Sequence, residues 1–213
     1  MEIIYEEIEA HFRDQEARLP APLPFRNFVA QARLGVSAAE HEAFFRKMLG
    51  KVDEPTTPLG LTDVYGDGSK AGEARVLVDS SLARRLREAA RAHGVSAAGV
   101  CHLAWAQVLA KLCARTDVVF GTVLLGRMVG GDGSDRVLGT CMNTLPVRIS
   151  LGDDSVRECV RHTHTLLAQL IRHEHASLAM AQRCSLVAAP APLFSSMLNY
   201  RHGSVASGLP EAL

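Results

Sequence analysis

The stretch from Val118 to Arg148, VVFGTVLLGRMVGGDGSDRVLGTCMNTLPVR, limits what this chain can fold into more than any other. Val118 to Leu125 is an apolar run rich in β-branched residues and bounded by glycine, the pattern of a strand buried on both faces. A glycine-rich loop follows, Gly130 to Gly133 with Asp132 and Asp135. The chain then enters Leu138 to Arg148, where Asn143, Thr144 and Pro146 interrupt a second apolar strand. Buried polar groups need partners and proline removes a ladder donor, so this interruption needs a reason beyond packing.

Around that core the chain alternates helix and strand. Ile4, Ile8 and Phe12 form one stripe of an N-terminal helix whose other face is acidic, and the proline-rich run 19–24 stops it. A helix over 25–34 follows. Ser37 and Glu40 make a capping box that opens another helix, carrying Phe44, Phe45, Met48 and Leu49 and ending at Gly50. Pro55, Pro58, Asp67-Gly68 and Gly72 mark a loop. The expected organisation is therefore a helical segment over 1–50, a linker over 51–72 and an α/β unit over 73–213.

Within that unit, residues 73–79 alternate as a strand, and Ser80 or Ser81 caps a helix that ends at His93-Gly94. Ser96 caps a helix apolar nearly all round, which should be central. Asp153 or Asp154 opens the longest helix, running to about His173. Residues 177–184 add a short helix, and 193–200 a last strand. The tail 203–213 is polar and expected to be loose. The fold class is α/β, a mixed sheet covered by helices with an N-terminal helical extension.

With 213 residues and 47% hydrophobic content the chain can bury a sizeable core. Its 23 basic and 23 acidic residues cancel, which argues against nucleic acid or an anionic membrane as partner. No apolar run approaches the roughly 20 residues of a membrane helix, and Met1-Glu2 opens an acidic segment where a leader would be basic and then apolar. The expected location is cytoplasmic. Five scattered cysteines without a C-x-x-C pair read as reduced thiols.

Gly139, Asn143, Thr144, Pro146 and Arg148 fill a G-x-x-x-N-T-x-P-x-R pattern. With VVFGTVLLGR before it, this segment resembles the condensation domain of nonribosomal peptide synthetases, which has a chloramphenicol-acetyltransferase-like fold. The resemblance extends in order and spacing along nearly the whole chain. It takes in Ser81-Leu82, Gly94-Val95-Ser96 and Leu103-Ala104-Trp105, then His173-Glu-His-Ala-Ser-Leu, then Pro192-Leu193-Phe194 and Leu198-Asn199-Tyr200-Arg201. It implies amide formation between a donor thioester and an acceptor amine, both carried on phosphopantetheine arms of carrier proteins, with no cofactor bound directly.

One departure bears on activity. The family's chemistry depends on an H-H-x-x-x-D-G motif, and no two histidines are adjacent in this sequence. Met1 to Phe12 resembles the helix that follows that motif. The resemblance therefore implies the end of the first lobe and most of the second, without the family's final strands and without a catalytic histidine. Three readings follow: part of an amide-forming acyltransferase that works only when the missing first lobe is supplied, a module that binds a carrier protein or partner lobe without catalysis, or the remnant of a truncated gene.

Asn143, Thr144 and Arg148 have two readings. They tie a strand end to its surroundings, or, as the resemblance implies, they line the passage for tethered substrates. His173 and His175 likewise either sit against a helix C-terminus or touch substrate near the acceptor entrance. A metal site is not expected. His162 and His173 are about three helical turns apart, roughly 16 Å, and His173-Glu174-His175 lacks the H-E-x-x-H spacing.

Overall fold

A computed structural model of the chain describes residues 2–69, 71–126 and 136–201. The expected glycine-rich loop at 130–133 and the tail at 203–213 lie outside the described residues. At the centre are β1 (Asp117–Leu124) and β2 (Asn143–Ser150), paired antiparallel from Asp117 opposite Ser150 to Leu124 opposite Asn143. β3 (Met197–Leu198) joins the other side of β1 in parallel, which gives the order β2-β1-β3. β1 is the inner strand, and Val118, Val119 and Phe120 are all buried, as an apolar run without alternation requires. Among the described strands β2 is an edge, a place where Pro146 is tolerated. Gly121 is set by close approach: a Cβ would lie 2.7 Å from the Phe194 ring and 2.9 Å from Met197.

The described residues form seven helices: α1 (Glu2–Phe12), α2 (Phe25–Leu34), α3 (Ala38–Leu49), α4 (Ser80–Ala92), α5 (Ala97–Leu112), α6 (Val156–Arg172) and α7 (Leu178–Arg183). α5 faces Phe120 and Thr122 on one side of β1, with α6 packed beside it. Side chains alternate along a strand, so Asp117, Val119 and Arg148 belong to the opposite side, where α3 reaches Arg148 through the Met48 carbonyl. Phe45 and Leu49 of α3, Leu103 and Leu109 of α5, and Leu167 and Leu170 of α6 share one core with the sheet.

Several expectations change in detail. The helix before His93 is capped by Asp79, whose carboxylate accepts from the Ser81 and Leu82 amides, so Ser80 and Ser81 lie inside it. The longest helix is capped by Ser155 in a capping box with Glu158, in place of Asp153 or Asp154. The last strand is two residues long where eight were expected. Residues 73–79 do not pair as a strand. Val76, Leu77 and Val78 stand 86%, 83% and 64% exposed, because no described neighbour lies along them.

Residues 51–72 begin inside the fold. The Thr56 amide donates to the Leu193 carbonyl, its own carbonyl accepts from Ser195, and its hydroxyl accepts from the Val119 amide of β1. No single described helix is long and apolar enough to cross a membrane. α4 and α5, which would qualify only together, meet at 108°, and α5 buries Leu103, Ala106 and Leu109 against the core.

Candidate functional site

The polar residues that the sequence singles out fall into two groups on opposite faces of β2. Asn143 and Arg148 are five positions apart, which is about 17 Å of strand and a change of face. Asn143 belongs to the first group. Its Nδ2 donates to the carbonyls of Glu174 and Ala176, both at 2.8 Å, and its Oδ1 accepts from the Thr144 amide at 2.9 Å. The first two hydrogen bonds fix the start of β2 to the turn between α6 and α7, and the third orients the amide within β2. Gly139 just upstream is set by contact: a Cβ there would lie 2.3 Å from the Phe25 ring, so α2 closes over this approach.

That turn carries both predicted histidines. His173 follows the last residue of α6 but looks away from the helix end. Its ring stacks on Phe44 with centroids 4.1 Å apart, meets Phe45 edge-on, and places Nδ1 2.9 Å from Nδ1 of His41. Burial, the His41 ring and Arg172 push its pKa down, against a smaller opposing pull from Glu40. A bare helix-end effect would move it up. His175 sits edge-on to Phe28 of α2, with Nε2 3.9 Å from Oε1 of the fully buried Glu174.

Arg148 heads the second group. Its Nε donates to Asp117 Oδ1 and Oδ2 at 2.9 and 3.0 Å, Nη2 donates to Oδ2 at 2.6 Å, and Nη1 donates to the Met48 carbonyl. The carboxylate holds the guanidinium pKa above its ordinary value. A shallow cleft of about 340 Å³ opens beside it, lined in part by Ser150, Asp154, Cys159, His162 and Thr163. Thr144 shares this face of β2, four residues away. The structure thus brings Asn143, His173 and His175 together and leaves Thr144 and Arg148 on the far side.

Two buried histidines escaped the sequence reading. His41 lies on the α3 stripe with Phe45 and Leu49, and that i, i+4, i+8 spacing is the signal that could have found it. His102 is buried in α5. Its Nδ1 lies 2.7 Å from the Ala98 carbonyl, which must accept, so Nε2 is bare and accepts the Thr122 hydroxyl proton at 2.8 Å. Burial holds this ring below the usual imidazole range. His164 accepts from the Ser96 amide through Nδ1, joining α6 to the start of α5.

Nucleophilic chemistry finds little support among the described residues. Burial pushes the Cys101, Cys159 and Cys184 thiols up, away from the thiolate. No group of three metal-ligating side chains converges there either. The hydrogen bonds of Asn143 and Arg148 end on the Glu174, Ala176 and Met48 carbonyls and so hold backbone.

Comparison with known proteins adds the family. The sequence profile of the condensation domain matches residues 1–206. The chain is 51% identical over 204 residues to malpibaldin synthetase of Mortierella alpina, and 52% identical over 202 residues to malpinin synthetase of the same organism. These alignments take in 96% and 95% of this chain but only 4% and 3% of the two synthetases. Among solved structures, the first condensation domain of the calcium-dependent antibiotic synthetase, in complex with a substrate analogue, superposes with a TM-score of 0.64 at 18% identity. That match spans 89% of this chain and 43% of the other. At that identity the likeness speaks for the fold, a chloramphenicol-acetyltransferase-like lobe.

Proposed function

Since this chain belongs to the condensation-domain family, we propose that it contributes one wall of a site where a donor thioester and an acceptor amine are joined into an amide. Both substrates arrive on phosphopantetheine arms of carrier proteins, which are the expected partners, and the setting is cytoplasmic. The observation that carries this reading is the family match from residue 1 to 206 together with the filled G-x-x-x-N-T-x-P-x-R pattern on β2.

The geometry favours positioning over proton transfer for these residues. Asn143 spends both its amide hydrogens on the turn after α6, and Arg148 is committed to Asp117 and Met48. Neither has a proton to exchange near neutral pH. Amide formation needs a base that takes the proton of the attacking amine, a task suited to an imidazole with a pKa near neutrality. His173 and His41 are turned toward each other, and the H-H-x-x-x-D-G motif is absent from these residues. The proposal is therefore that Asn143, His173 and His175 shape the passage from one face of β2, that Thr144 and Arg148 brace the strand from the other, and that the base comes from a first-lobe polypeptide.

The test combines the purified chain with a polypeptide carrying the first lobe and its H-H-x-x-x-D-G motif, and supplies a carrier-bound thioester and an aminoacyl acceptor. Amide product in the mixture and none from either piece alone is the expected result. Turnover by this chain alone overturns it.

A second reading, binding without catalysis, is favoured by the exposed apolar side chains Tyr5, Phe12, Val76 and Leu77. Complex formation with the first lobe or a carrier protein, without product, would select it.

A further inference from the structure

Two imidazoles meet where α3 packs on the turn after α6, although they are 132 residues apart in sequence. His41 and His173 are 7% and 8% exposed, and Phe44 lies flat on the second ring. Their contact is Nδ1 to Nδ1 at 2.9 Å. Such a bond requires one Nδ1 to carry hydrogen and the other to be bare. The neutral pair satisfies this with one ring protonated at Nδ1 and the other at Nε2. A further proton from solvent fits on the free Nε2 of the donor ring. The next one must go to the accepting Nδ1, and then two N–H groups face each other.

We propose that His41 and His173 form a proton-operated latch that fastens α3 to the α6–α7 turn while it holds at most one extra proton, and lets that turn go when it takes a second. The turn is what secures Asn143, whose amide hydrogens end on the Glu174 and Ala176 carbonyls. Opening the latch therefore loosens the start of β2. This rests on the contact geometry and stands apart from the assignment of the passage.

The charged groups around the pair come from each neighbouring element. Glu40 on α3 favours protonation of both rings, Arg172 on α6 opposes it at His173, and His175 in the turn opposes it at His41. Burial outweighs all of these and pushes both rings below the ordinary imidazole value. Glu174 beside His175 is the turn's acidic group. From α2 comes the uncharged Phe28. Cys184, just past α7, keeps its proton and leans on the Glu42 carbonyl of α3. The latch is accordingly closed at neutral pH and opens on the acid side of the ordinary imidazole range.

Long-range nitrogen–proton NMR of the histidine rings, recorded on the whole chain from pH 8 down to about 4.5, reads the pair directly. The expected result is a linked two-step titration shared by both rings. In the lower step exchange of the Asn143 side-chain amide should rise by about tenfold or more, while the β1 amides keep their protection. The variant H41Q retains a hydrogen-bonding side chain that cannot titrate. It should abolish the lower step and the Asn143 response. Rings that titrate independently, an Asn143 amide indifferent to the lower step, or the same acid response in H41Q would each overturn the latch. Should H41Q fail to fold, the native titration alone decides.

Discussion

α1 and α3 carry the same kind of message in sequence and meet opposite fates. Each places large apolar side chains four residues apart with charge opposite. In α3 that stripe is fully buried: Phe45 and Leu49 have no exposed surface, and the capping box of Ser37 and Glu40 fixes where the helix begins. In α1 the stripe stays open, with Ile8 and Phe12 exposed, and an ion pair from Glu6 ties the helix to the distant Arg136. Periodicity tells which side of a helix seeks cover. It does not tell whether these residues supply the cover, because that is decided by segments far away in the chain.

The contrast can be broken most severely at Phe45. Replacing it with alanine empties a fully enclosed site and should cost about 3–5 kcal/mol in denaturant unfolding. A cost near zero would mean that α3 is no better covered than α1.

Asn143→Ala comes next. It strands two carbonyls of the α6–α7 turn, and a loss of about 1–3 kcal/mol is expected with little change in the slope of the transition. An acid titration of stability probes the same corner. The pKa values of His41, His102 and His173 lie below their unfolded value in the folded chain, so the unfolded state binds more protons between the two. Stability is fully present above about pH 6.5 and falls as pH drops through the folded values, and a stability curve flat across that window would contradict the burial of these rings.

Ser37→Ala removes one half of the capping box and should cost about 1 kcal/mol. Phe12→Ala should move stability by no more than about 0.5 kcal/mol, and a large loss there would show α1 to be covered after all.

What was legible in the sequence follows the same division. α2 and α3 were readable to their ends because caps, prolines and stripes are local signals. The buried character of β1 was readable from its unbroken apolar run. Residues 73–79 have the composition of a strand and no described partner, and the strand expected over 193–200 shrinks to the two residues that reach β1. Strand pairing is a long-range event that composition cannot report. At the site, the G-x-x-x-N-T-x-P-x-R pattern led to Asn143 and Arg148 but could not reveal that they face opposite ways with separate partners. His41 and His102 went unnoticed because each reads as one polar residue in an apolar stripe, and only the meeting of distant elements gives them partners.

Thr56 links three stretches of chain that synthesis delivers at widely different moments. Its hydroxyl waits for the amide at 119, and its backbone waits for 193 and 195. A growing polypeptide can wind α2, α3 and α5 as it emerges, but this junction cannot close until residues 193 and 195 have followed. The nascent chain must therefore carry the bare flank of β1 until those residues emerge. Assembly of the domain is then governed by a late, nonlocal event, slow by the measure of sequence separation and open to chaperone capture until it is complete.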